Sequence, residues 1–418
     1  MLSHLSRAQE YLLLSLPFLL ISGSMLPDLA LSLVCIFFLI QKYIKKEIKL
    51  TELDIFGKIF FIWCLYLITL SIFSDDPYLS LESSLFFFRF GVFVYSIMFL
   101  IKNDSKFIVK FYYFLLFAIL LVLIDGYIQY FFGKNIIGNS YDGFRLSLLD
   151  GSKFFGHYLA RLVPILLAIA ILFFPRSRFH IGIMMFVLLA SDIVIFLSGE
   201  RTSFFILTAF TIAVLVLISK WKIVRLITII LSGIIIFLIL NTSNLIQQRM
   251  VIQTLNQTNW GVTFSPEHDL LYESAINMFL DNKVFGVGPK IYRLKCSDEK
   301  YAKDSFGYRD VITEWDEEKS CSTHPHNIYI QLLAETGIIG TIPLVILFFY
   351  ITIKLLKHFY GIIVKRKYLY SDYAICLLVS IFVQLWPIMP HLSVFSNRVN
   401  VYIFLTIGFM MAYKYVRK

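Results

Sequence analysis

Residues 222–241 read KIVRLITIILSGIIIFLILN, and no charged residue occurs from Leu226 to Gln248. A helix rises 1.5 Å per residue, so about 20 apolar residues cross a hydrocarbon core of roughly 30 Å, and this run predicts a transmembrane helix. Comparable runs recur outward in both directions, centred near Leu16, Leu33, Trp63, Val94, Leu120, Leu166, Phe186, Phe210, Ile234, Leu344, Val379 and Thr406. None is confined to a cleavable N-terminal signal. The expected fold is an all-α polytopic membrane protein with about twelve transmembrane helices. Nine fall in residues 1–240 and three in residues 326–418, separated by a large loop at 241–325. The composition agrees: 58% of the chain is hydrophobic and 16% charged, whereas a soluble domain is about 45–50% apolar.

Lys and Arg divide unequally between alternate connections, which is the pattern that orients membrane proteins. One set holds Arg7, Lys42 to Lys58, Lys102 to Lys110, Arg176, Arg178, Lys220, Lys222, Arg225, Lys354 to Lys367, Lys414, Arg417 and Lys418. It contains 22 of the 38 basic residues and six of the 28 acidic ones, so it carries +16 and the remainder −6. The positive-inside bias predicts both termini in the cytoplasm and the 241–325 loop outside it. The net charge of +10 thus reports topology, and nucleic acid is not implied as a partner. The cytoplasmic connections are short. None carries a phosphate-binding glycine loop or a paired-Asp motif for a metal-bound nucleotide sugar, so ATP and nucleotide sugars are unexpected substrates.

The loop from Asn241 to about Thr323 is far longer than an ordinary connection, and loops of that length are functional or disordered. Ser265 followed by Pro266 predicts the start of a helix over 266–280, and Phe285-Gly286-Val287-Gly288-Pro289 predicts the turn after it. An amphipathic stretch from Leu245 to Leu255, carrying Arg249, is expected along the membrane surface. Cys35, Cys64 and Cys376 fall inside apolar runs and read as small core residues. Cys296 and Cys321 share the large loop, where an oxidising compartment favours a disulfide over two free thiols.

Charges within an apolar run are costly and mark function or pairing. Arg89, Asp125 and Asp192 lie at similar expected depths, which predicts an ion-pair cluster among them. A second group gathers at the external rim: Arg145, Arg161, Arg201, His324 and His326. Guanidinium groups bind phosphate oxygens in bidentate fashion, and an Arg at a helix start adds to an already positive terminus. At a lipid-water boundary the fitting anion is the diphosphate of a polyisoprenyl-linked sugar. The alternative is arginines reaching out to membrane lipid headgroups, which suits Arg161 best. His326 has the titration range of a general base for a sugar hydroxyl. Cys321, His324 and His326 also admit a metal reading, although their spacing matches no common zinc pattern.

His326-Asn327, nine residues, then Gly337-Ile338-Ile339-Gly340-Thr341 resembles the motif of the O-antigen ligases, His-[Asn/Ser/Gln] followed after nine residues by Gly-x-x-Gly-Thr. Ser198-Gly199-Glu200-Arg201-Thr202-Ser203-Phe204-Phe205 is similar to the family's Arg-x-x-x-Leu element, with Phe205 in place of Leu. Phe144-Arg145 to Gly151 and Phe285 to Gly288 also fit, so the resemblance covers the central half of the chain. It implies a GT-C-type architecture in a bacterial inner membrane and an inverting transfer without metal, nucleotide or other cofactor. Arg201 would contact the diphosphate of an undecaprenyl-linked glycan donor, and His326 would activate the acceptor hydroxyl of lipid A-core. Four residues before Tyr272, where the family often has Arg, this chain has His268. Arg249 or Arg293 would then supply a further diphosphate contact.

The same resemblance admits a polymerase that extends the lipid-linked glycan, and a protein O-glycan transferase. A transporter or flippase would also have many spans, but should show internal repeats and helices interrupted at mid-membrane, neither of which the sequence displays.

Overall fold

The apolar runs fold as helices at each expected centre, and what each helix buries follows from the distribution of its polar residues. The structure, a computed structural model, describes residues 2–47, 53–260, 265–305, 307 and 321–416. Lys49, Glu52, Arg417 and Lys418, which entered the charge division, lie outside the described residues, as do parts of the large loop.

The first half of the chain comprises α1 (Leu2–Leu19), α2 (Met25–Ile44), α3 (Ile55–Ile72), α4 (Pro77–Ser84), α5 (Arg89–Asn103) and α6 (Lys106–Phe132). There follow α7 (Phe155–Phe173), α8 (Arg178–Leu197), α9 (Arg201–Leu217) and α10 (Lys222–Thr242). The large loop holds α11 (Asn244–Gln247), a π-helical turn (Gln248–Ile252), α12 (Gln253–Trp260), α13 (Pro266–Asp281) and α14 (Tyr292–Lys295). The chain then re-enters the bundle as α15 (Ile328–Ile363), α16 (Asp372–Gln384) and α17 (Asn397–Val416). No β-strand occurs among the described residues.

Nine helical segments among the described residues are long and apolar enough to cross a membrane. Two further apolar helices, α9 and α16, are shorter. The protein is therefore an all-helical, polytopic membrane protein. At its centre stands α7, apolar on every side except for His157 and Arg161, and packed by α6, α8, α9 and α16. A helix that is apolar all round is one that can be surrounded by others.

At the edge, α10 inverts the soluble pattern: it buries only Arg225, Thr228 and Ser232 and turns its Ile and Leu residues outward. Its buried stripe packs on α8, where Arg225 forms a bidentate pair with Asp192 at 2.7 and 2.8 Å. Thr211 of α9 accepts from the same guanidinium, and Ser232 donates to Asp192. Counting Arg225 among the exposed cations of the basic set is thus corrected.

The expected cluster of Arg89, Asp125 and Asp192 does not form. Arg89 pairs instead with Asp28 at 2.6 Å, Asp125 accepts from the Ile136 amide at 2.8 Å, and Asp192 takes Arg225. Similar depth along three helices says nothing of which way each side chain faces around the bundle.

A buried ion pair is costly to break because one charge is left stranded. Asp192→Ala should lower stability by roughly 3–5 kcal/mol, whereas replacing both partners with Asp192→Leu and Arg225→Met should recover most of it. Thermal melting in detergent checks this, and equal losses in the two variants would contradict the pairing.

Candidate functional site

The site sits at the end of the bundle covered by the large loop, and it is assembled by backbone bonds between that loop and α15. Gly337 interrupts α15 with φ 64° and ψ −169°, a conformation favoured by glycine. Beside the break, the Val287 amide donates to the Ala334 carbonyl at 2.9 Å, Gly288 to Glu335 at 2.8 Å, and Ile338 to Lys283 at 2.9 Å. A Cβ on Gly337 would lie 2.2 Å from the Val284 carbonyl oxygen. The carbonyls near the break find donors on α3: Trp63 Nε1 reaches Gly340 at 2.8 Å, and the Tyr66 hydroxyl reaches Thr336 at 2.7 Å. Thr341 donates to the Gly337 carbonyl at 2.7 Å. The Gly-x-x-Gly-Thr element is thus a docking seam for the 283–288 turn, which does more than end α13.

Asn327 caps α15, its Oδ1 accepting from the amides of Tyr329 and Ile330 at 2.9 and 3.1 Å. His326, just before the cap, has φ 55°, within the left-handed region that few side chains adopt. Its ring lies 4.2 Å from that of His324 and 5.6 Å from that of His268. The N-cap of α13 brings His268 there, with Ser265 Oγ accepting from the His268 amide and lying 2.7 Å from its Nδ1. Burial, followed by the neighbouring His268, pushes the His326 imidazole down to about 4. Burial, followed by His326, pushes His324 down to about 3. Burial likewise lowers His268, with Arg201 adding to the effect. All three are therefore neutral near pH 7.

Arg201 opens α9, with Nη1 3.4 Å from Thr254 Oγ1. It lies within electrostatic reach of Arg249, Arg145 and Glu267. Gly199, at φ 68°, permits this gathering, because a Cβ there would lie 2.0 Å from the Phe144 carbonyl and 3.5 Å from Arg249 Cγ. The Leu245–Leu255 stretch delivers Arg249. Its apolar side, Ile246 and Met250, packs on Ile193, Phe196 and Leu197 of α8, so protein covers the face expected to lie on the membrane surface. The Nε atoms of Arg145 and Arg249 are buried without an acceptor. Gathering like charges in a half-buried rim is unfavourable, and here Glu267 beside Arg201 and Asp142 beside Arg249 offset part of that repulsion.

Two expected members lie elsewhere. Arg161 does not reach outward; it is buried in α7, with Nη1 donating to His157 Nδ1 at 2.7 Å. Arg293 sits on α14, within electrostatic reach of His324 and Glu335. Cys296 and Cys321 are joined in a disulfide, which removes Cys321 from any metal reading and fixes the strand entering His324.

Sequence reasoning assigned no role to Glu200, although it stands within the quoted 198–205 element. Its buried carboxylate accepts from the Gly156 and His157 amides at 3.0 and 3.1 Å and from Ser203 Oγ at 2.9 Å. It thereby caps α7 and fixes the residue before Arg201. Burial raises its pKa, opposed first by Arg145. His391 was also missed.

Arginines and neutral histidines thus gather at the loop-covered end of an apolar bundle. Residues 184–345 match the family model described as O-antigen ligase, which confirms the resemblance read from the motifs and assigns this stretch to the O-antigen ligase family. The match takes in Arg201, Arg249, His268, Arg293, His324 and His326, and leaves out Arg145, Arg161 and His391. Among curated proteins, none matches the chain. Members of that family are glycosyltransferase-like enzymes, ligases or polymerases.

Gly337→Ala should undock the loop from α15. We expect transfer activity to be lost and limited proteolysis to cut between α10 and α15; wild-type resistance and activity would contradict the docking role.

Proposed function

We propose that this protein is an O-antigen ligase that transfers a glycan from an undecaprenyl-diphosphate carrier to lipid A-core. The reaction is placed at the periplasmic face of a bacterial inner membrane, with both termini cytoplasmic and a GT-C-type bundle of about twelve spans. The observation that carries this reading is the gathering of Arg145 and Arg249 about Arg201, which itself lies within electrostatic reach of His268, whose ring is 5.6 Å from that of His326.

The chemistry follows from the charges. His326, neutral in the free protein, takes the proton from the acceptor hydroxyl as that oxygen bonds to the anomeric carbon. The bond from that carbon to the diphosphate breaks on the opposite face, inverting the configuration. The departing diphosphate is stabilised by the arginines, which are held in place before the reaction. An apolar groove of about 470 Å³ between α9, α15 and α16 begins at Phe205, one turn below Arg201, and suits an isoprenoid tail. Neither a metal nor a nucleotide is needed for these steps.

The bound diphosphate also adjusts the base. Negative charge beside His326 favours the imidazolium, so the pKa should rise from about 4 when the donor binds. The acid limb of kcat/KM, which reports the free enzyme, should lie near pH 4, with that of kcat at higher pH. Coincident limbs would contradict the coupling.

Arg201→Ala and His326→Ala should each lower the rate by about 10²-fold or more. Wild-type rates in either purified variant would overturn the mechanism. The deciding assay gives the purified protein a lipid-linked glycan with either lipid A-core or a second lipid-linked glycan, in EDTA and without ATP. Product on lipid A-core establishes the ligase, whereas elongation of the carrier-bound glycan establishes the polymerase.

A further inference from the structure

Between α16 and α17 the chain runs without regular structure over residues 385–396, and this segment forms a shelf under the start of α15. The Tyr329 hydroxyl donates to the Leu385 carbonyl at 2.8 Å, and Asn327 Nδ2 to the Pro387 carbonyl at 2.6 Å. Gln331 donates to Ser393 Oγ at 2.9 Å and accepts from the Val394 amide at 2.9 Å. At the centre lies His391, whose amide donates to the carbonyl of His326. Its own carbonyl faces the imidazoles of both His324 and His326.

The His391 side chain fixes this arrangement. It is 4% exposed, and its Nε2 lies 2.8 Å from the Gln384 carbonyl. A carbonyl only accepts, so Nε2 carries the proton and the ring caps the C-terminus of α16, where carbonyls lack helical partners. One end of the shelf is therefore pinned to α16 and the other to α15. The pinned amide holds His326 in a backbone conformation that it would not adopt unaided.

We propose that His391 is a positioning residue for His326, anchoring the 385–394 shelf that fixes the imidazole in the orientation from which it accepts the hydroxyl proton. This rests on the reading of His326 as the base. A base needs a third group to orient it, and here the main chain of residue 391 supplies that group. The His391 side chain is buried and bonded to α16, so its loss should slow the chemistry and leave donor binding alone.

The test uses the purified full chain with undecaprenyl-diphosphate-linked glycan and lipid A-core, measuring kcat and donor KM. His391→Ala should lower kcat about tenfold with donor KM unchanged, because a small misplacement of a reacting group costs that order of rate. His391→Gln, whose amide can still donate to the Gln384 carbonyl, should recover most of the loss. Adding His391→Ala to His326→Ala should cost nothing more, since the two act through one group.

The proposal is overturned by a wild-type kcat in His391→Ala, by a KM that rises as kcat falls, by absence of rescue with Gln, or by a further tenfold loss in the double variant. Should His391→Ala not fold, Tyr329→Phe removes a single bond to the shelf. A kcat-only loss of about threefold there supports the proposal, and a wild-type kcat overturns it. Failure of the parent reading is seen separately, as wild-type turnover in His326→Ala.

Discussion

The backbone seam between the 283–288 turn and α15 is the contact on which the site depends. A helix interior offers no free amide or carbonyl to a neighbouring chain, so a loop can bond to it only where the helix is broken. Gly337 breaks it, Trp63 and Tyr66 take up carbonyls beside the break, and residues 283–288 bond to the main chain there. With that seam closed, α13 lies against α15 and His268 comes within reach of His326.

The electrostatics rest on that geometry. Arg145, Arg201 and Arg249 arrive from three separate parts of the chain, and each would be unremarkable alone. Burial, and then the neighbouring arginines, raise the cost of charge on Arg201 and Arg249. In the proposed reaction an entering diphosphate would recover that cost. Glu200 sits behind them, capping α7 through the Gly156 and His157 amides while remaining within electrostatic reach of Arg145. The histidines are held neutral by burial, the state a proton acceptor requires.

Much of this was legible in the sequence. Apolar runs placed a helix at each of the twelve expected centres, of which nine lie in segments long and apolar enough to cross a bilayer. Ser265 and Pro266 placed α13, and the motifs pointed to Arg201 and His326. The azimuth of side chains was not legible. Arg89, Asp125 and Asp192 have similar depths but face different neighbours, and Arg161 turns inward although it occupies the same rim. Arg225 looked like a loop cation because it follows Lys220 and Lys222, yet it is the buried partner of Asp192. The irregular segment 385–396 follows directly on α16, but no linear pattern announces that it wraps the start of α15.

The inverted face of α10 bears on how the chain is built. Only Arg225, Thr228 and Ser232 of this helix are fully buried, and its attachment to α8 joins the Asp192 carboxylate to apolar contacts from Ile235, Ile236, Ile239 and Leu240. An arginine entering the hydrocarbon without its counter-ion is strongly disfavoured. Asp192 lies on α8, ahead of α10 in the chain, so the acceptor is already in the bilayer when Arg225 is inserted during synthesis. For this helix the order of residues along the polypeptide thus doubles as an order of assembly, in which a late cation is received by a charge laid down before it.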